Sequence, residues 1–89
     1  MHRRVEWMTP TDDAILSLLG PPKQLELRSG DIARNTGYSR RRISDRCTVL
    51  VDRGLLFRDD EAGHPYYGLT DFGERYVAGE LTVDNLEKA

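Results

Sequence analysis

Arg40, Arg41 and Arg42 stand consecutively in the middle of the chain, and Arg46, Arg53 and Arg58 follow within the next sixteen residues. A guanidinium carries five donors in a rigid planar fork that matches phosphate and other planar acceptors two bonds at a time. Charge along the chain is uneven. Residues 34–58 hold seven arginines against Asp45 and Asp52, a local charge of +5, whereas residues 59–89 sum to -6 and residues 1–33 to -1. A basic block inside a chain of net charge -2 predicts one face turned toward a polyanion, the competing reading being a solvated charged face. Catalytic chemistry has no candidate: no paired carboxylates flank a cleft, no nucleophile has a base partner, and no glycine loop follows a strand. Cys47 with His2 and His64 makes no metal cluster, so neither a metal nor another cofactor is expected, and the chain is expected not to be an enzyme.

The arginines need a scaffold, and the local signals describe one. Thr9-Pro10-Thr11-Asp12 reads as a helix start, with Ile15, Leu16, Leu18 and Leu19 forming its apolar side and Gly20-Pro21-Pro22 stopping it. Leu25 and Leu27 alternate with polar residues, which predicts a short half-buried strand. Ser29 or Gly30 opens a second helix that Gly37 ends as a left-handed cap. Ser39 caps a third helix from about Arg40 to Arg53, closed by Gly54. Leu55-Leu56-Phe57 and Tyr66-Tyr67-Gly68-Leu69, separated by turn residues, predict a hairpin. Thr70 and Asp71 can cap a last helix carrying Phe72, Tyr76 and Val77.

Eighty-nine residues support a single core. One cysteine excludes an internal disulfide framework, no apolar run approaches the roughly 20 residues that span a bilayer, and Met-His-Arg-Arg does not lead into a secretory signal. The expected setting is cytoplasmic, without membrane partner or small-molecule ligand. The expected layout is an arm over 1–8, a domain over 9–80 and a tail over 81–89.

Ile32, Ala33, Gly37, Tyr38 and Ile43 occupy the apolar, small, turn, apolar and locking positions of a helix-turn-helix. Three helices, a hairpin and a further helix resemble the winged helix-turn-helix: mainly α with a small β-hairpin, the hairpin being the wing. Closer still is the resemblance to haloarchaeal winged-helix proteins related to the phi-H phage repressor, carried over roughly residues 9 to 86. The matching stretches are Ile32-Ala33-x-Asn35-x-Gly37-Tyr38-Ser39, Leu50 to Leu55, Tyr67 to Tyr76, and Gly79-Glu80-Leu81. Eleven of thirteen basic residues are Arg, and Asp outnumbers Glu, a bias that also resembles haloarchaeal, halophilic proteins. The resemblance implies a sequence-specific regulator of transcription that binds double-stranded DNA, repressor-like in type. The alternative is a winged helix serving as a protein interaction module, which would favour apolar residues at positions 40, 41, 44 and 48.

At 100° per residue, Ile43, Cys47 and Leu50 share one stripe of the third helix, while Arg41, Asp45, Thr48 and Asp52 lie opposite, flanked by Ser44 and Arg42. The N-terminal part of such a helix approaches base edges in the major groove, so Arg40, Arg41, Arg42 and Ser44 are the base candidates. Ser39, Asp45, Arg46, Thr48, Arg53 and Arg58 complete the expected DNA-binding set, with Asp45 holding Arg41 or Arg42 in place. Arg46 departs from the pattern, since that position is often apolar, and Cys47 takes the core role one residue later. The acidic hairpin tip has the wrong sign for phosphate, which leaves open whether the wing touches DNA or only covers the core. Cys47 reads as an inert buried thiol rather than a redox sensor, His64 as plain surface rather than a switch, and Tyr66, Tyr67 and Tyr76 as core rather than a stacking platform for single strands.

Val5, Trp7, Met8, Leu81, Val83 and Leu86 are left over once this core is filled. They predict a homodimer interface to which Phe72, Tyr76 and Val77 contribute, the competing account being that Trp7 and Leu86 fold back over their own core.

Overall fold

The computed structural model describes residues 6–21, 23–60 and 63–81. Four helices and one hairpin follow in the order α1 (Pro10–Leu19), α2 (Ser29–Thr36), α3 (Arg40–Asp52), β1 (Leu56–Asp59), β2 (Tyr66–Leu69) and α4 (Asp71–Val77). Each start has a local cause. Thr9 and Asp12 form a reciprocal capping box on α1, Thr9 N–H donating to Asp12 Oδ2 at 2.9 Å and Asp12 N–H to Thr9 Oγ1 at 3.3 Å. The hydroxyls of Ser39 and Thr70 accept the N–H groups of Arg42 (3.1 Å) and Gly73 (3.0 Å), capping α3 and α4.

The α2–α3 turn is made at Gly37, whose φ of 81° suits a residue without Cβ; its N–H donates to Ala33 O at 2.9 Å. Tyr38, half-buried, then packs on the core, and Ile32 and Ile43 meet beneath the turn, both fully buried. Ile15, Leu16 and Leu19 of α1, Ile43, Cys47 and Leu50 of α3, and Leu55, Leu56 and Tyr67 of the hairpin region close one continuous core. At about 25 cal/mol per Å² of apolar area removed from water, this burial is the main force holding three short helices together.

β1 and β2 pair antiparallel, from Leu56 opposite Leu69 to Asp59 opposite Tyr66. The strand expected at Leu25 and Leu27 is reduced to a single bridge, in which Leu27 and Tyr67 exchange N–H donors at 3.0 and 2.8 Å. The reason is length: α2 begins at Ser29, and Gln24 sits at φ 48°, so the extended stretch cannot lengthen in either direction. α3 ends at Asp52, with Arg53 as its cap, one residue earlier than expected.

Trp7 and Met8 belong to the folded body rather than to an arm. Met8 is 4% exposed and accepts the Tyr76 hydroxyl on Sδ at 3.1 Å. That corrects its assignment to a dimer interface: the thioether lies inside its own core, where no second copy can reach it. Trp7 is half-buried under the Arg53 guanidinium, 4.8 Å from the ring centroid. Phe72, Tyr76, Val77 and Leu81 are partly buried against the same core, while Val5, Val83 and Leu86 lie outside the described residues.

Candidate nucleic-acid interface

α3 presents its predicted faces, with Ile43, Cys47 and Leu50 inward and Arg40, Arg41, Asp45 and Thr48 exposed. The Cys47 register means that Arg46 sits at the rim of the helix rather than in the core, so the departure at position 46 does not roll the helix. Burial pushes the Cys47 thiol up to about 12, with the nearby Asp12 carboxylate adding to the shift, which leaves negligible thiolate near neutral pH.

The arginines divide by partner. Among the described residues Arg40 and Arg41 have no hydrogen-bond or ion-pair partner, and the Arg40 guanidinium lies over the first turn of α2, where a Cβ built on Gly30 would sit 3.5 Å from its Nε. Arg42 is exposed, yet its Nε donates to Thr11 Oγ1 at 2.7 Å and its guanidinium stands 5.9 Å from the Tyr38 ring centroid. Arg46, expected among the DNA contacts, turns toward α1 instead. Its Nε and Nη2 form a fork on Asp12 at 2.8 and 2.7 Å, and Nη2 reaches Trp7 O at 3.3 Å. Asp12 is fully buried, so an outward-facing Arg46 would leave an uncompensated buried carboxylate.

Asp45 is exposed and, among the described residues, pairs with neither Arg41 nor Arg42, because Thr11 has taken the second of these. Ser44 is half-buried and its carbonyl accepts the Thr48 hydroxyl at 3.0 Å. Arg53 is held on Trp7, and Arg58 donates to Asp60 Oδ1 at 2.8 Å in an exposed pair. Such pairs contribute about 0–1 kcal/mol, so a phosphate can compete for Arg58.

Arg28 was missed by sequence reasoning. It is exposed, and its guanidinium lies 4.7 Å from the Tyr66 ring centroid, beside the wing. Thr11 and Asp12 were missed as partners of α3. The available signal was that Arg42 and Arg46, one turn apart, flank the apolar residues Ile43 and Cys47 and therefore face a neighbouring element. Among the described residues no group of His, Cys, Asp and Glu could hold a metal ion, and no helix is long and apolar enough to cross a membrane.

Solved structures share this fold. MepR, a transcription regulator of the Staphylococcus aureus multidrug efflux pump MepA, superposes with a TM-score of 0.73 at 24% identity, over 92% of this chain and 62% of that one. A MarR family protein from Bacillus stearothermophilus gives a TM-score of 0.71 at 17% identity, over 92% and 56%. The adhesin competence repressor AdcR from Streptococcus pyogenes gives 0.66 at 19%, over 93% and 75%. At these identities the likeness is one of fold, and the chain spans less than two thirds of the first two proteins. The sequence pattern goes further: the family model for the winged helix-turn-helix phage repressor matches residues 1–89, and the chain belongs to that family.

Proposed function

We propose that the chain is a repressor-like regulator that reads duplex DNA by laying the N-terminal half of α3 in the major groove. Arg40 and Arg41 address base edges, with Ser44 and Thr48 beside them, and the Ser39 end of the helix together with Arg28, Arg53 and Arg58 serves the phosphates. One observation carries this reading. Of the four arginines on α3, two are tied to α1 and the two at its exposed N-terminal end are unpartnered among the described residues. Positions 40, 41, 44 and 48 are all polar or basic, which favours DNA over a protein partner. The Arg-rich, Asp-rich composition supports a haloarchaeal cytoplasmic setting.

Replacing Arg41 with Ala is expected to weaken binding to the preferred duplex by about 5- to 150-fold, the loss of one bidentate base contact worth about 1–3 kcal/mol, and to leave random DNA much less affected. Arg53→Ala is expected to weaken both alike. Titration of both variants on both sequences at one salt concentration decides the matter, and an Arg41 effect that is uniform across sequences demotes that residue to a phosphate contact.

The assembly we propose is a two-fold dimer formed around α4, with Phe72, Val77 and Leu81 at the pairing surface, which would set two copies of α3 one helical turn apart on a palindromic site. Sedimentation of the intact chain at tens of micromolar should give twice the monomer mass. A monomer mass there removes the dimer.

A further inference from the structure

Thr11 and Asp12 are 1% and 0% exposed, an unusual depth for polar side chains in the first turn of a helix. Both point at α3. Thr11 accepts from Arg42, and both Asp12 oxygens are occupied, Oδ1 by Arg46 Nε and Oδ2 by Arg46 Nη2 and the Thr9 amide. Arg42 and Arg46 are one turn apart, so α3 is gripped at two levels by directional bonds, while its apolar stripe contributes contacts that tolerate rolling. Stability alone does not account for the fork, since a well-packed apolar pair often serves a buried site as well or better.

We infer that Asp12 is a positioning residue for sequence recognition: through Arg46 it sets the roll of α3, and hence where Arg40 and Arg41 meet the bases. This rests on the groove reading above. The lever is short. With side chains about 5–6 Å from the helix axis, a roll of about 15° carries a side-chain end by roughly 1.5 Å, enough to undo a two-bond contact to a base. Phosphate contacts tolerate such a shift, because attraction between charges falls off gradually with distance.

The test compares wild type, Asp12→Asn, Arg46→Lys and the double variant Asp12→Leu/Arg46→Met on two probes, a duplex enriched from a random pool by the wild-type protein and a scrambled duplex of the same length. Arg46→Lys keeps the ion pair but lacks the fork. The double variant replaces the pair with apolar side chains and is expected to stay folded but to melt about 4–8 °C below wild type, because the Thr9 N–H loses its acceptor in the capping box. Each variant should lose about tenfold or more of the preferred-to-scrambled affinity ratio, with the salt slope on scrambled DNA unchanged. A folded Arg46→Lys or double variant that keeps the full ratio overturns the inference and leaves Asp12 a structural residue. A wild type with no preference for any duplex overturns the groove reading itself.

Discussion

Raising salt from 50 to 200 mM is expected to weaken binding to duplex DNA by about fortyfold per chain. Three guanidinium groups are assigned to phosphate in the proposed docking: Arg28 beside the wing, Arg53 on Trp7 and Arg58 on the hairpin. Each neutralised phosphate releases condensed counterions, so about three contacts give a logarithmic slope near -2.7 on duplex DNA and near -2.1 on a single strand. Arg46 is left out of this count because Asp12 already balances it, and Arg58 enters it because Asp60 is a weak competitor. Fluorescence anisotropy of a labelled duplex and of one of its strands across a salt titration checks the expectation. A flat titration, or equal binding to both probes throughout, sinks duplex recognition. In molar salt the Debye length shrinks to about 3 Å, so a protein working there would retain only its contact-distance interactions. The fork and the Arg42–Thr11 bond are of that short-range kind, which is consistent with a reading helix held by close, directional bonds.

Helix starts and the interhelical turn were legible in the sequence because their causes are local. A capping hydroxyl at Thr9, Ser39 or Thr70 satisfies amides within three residues, and Gly37 solves a backbone problem at its own position. The inward stripe of α3 followed from helical geometry alone. What was not legible depends on partners distant along the chain. Arg42 and Arg46 read as DNA contacts because nothing near them reveals that residues 31 and 34 positions earlier will be buried beside them. Asp12 read as a helix-end charge, which it is, but its second role exists only once α1 and α3 have packed. Met8 looked surplus because the winged-helix core could be filled without it, and the Tyr76 hydroxyl that fixes its sulfur lies 68 residues away. Leu25 and Leu27 carry a strand pattern, yet the hairpin offers only one pairing position before α2 begins.

The resemblance motif Tyr-x-Leu-Thr-x-x-Gly-x-x-Tyr acquires a physical meaning at Gly73, and the largest stability effect is expected there. α4 is sewn to the α3–β1 junction at its first turn. Thr70 donates its N–H to Leu55 O at 3.1 Å and its hydroxyl to Gly54 O at 2.6 Å, while the same hydroxyl caps Gly73 N–H. This brings the helix so close that a Cβ on Gly73 would overlap Leu55 O, with Leu69 Cδ2 a further 3.2 Å contact. The obstacle is backbone, so no rotamer change relieves it, and α4 would have to lift off, breaking the Thr70 bonds and uncovering Leu55. An alanine in a helix is ordinarily about 0.8–1.0 kcal/mol better than glycine. Overpacking costs about 1–3 kcal/mol and sometimes more, and the lost bonds add to it, so Gly73→Ala should destabilise by about 2 kcal/mol or more. For a domain of this size that lowers the melting midpoint by about 8–16 °C. Circular dichroism melts of Gly73→Ala and of a control at exposed Ser17 on α1, in the same salt, make the comparison. Ser17→Ala should stay within about 0.5 kcal/mol of wild type. A Gly73→Ala midpoint equal to or above the wild-type value would mean that α4 is not seated on Leu55.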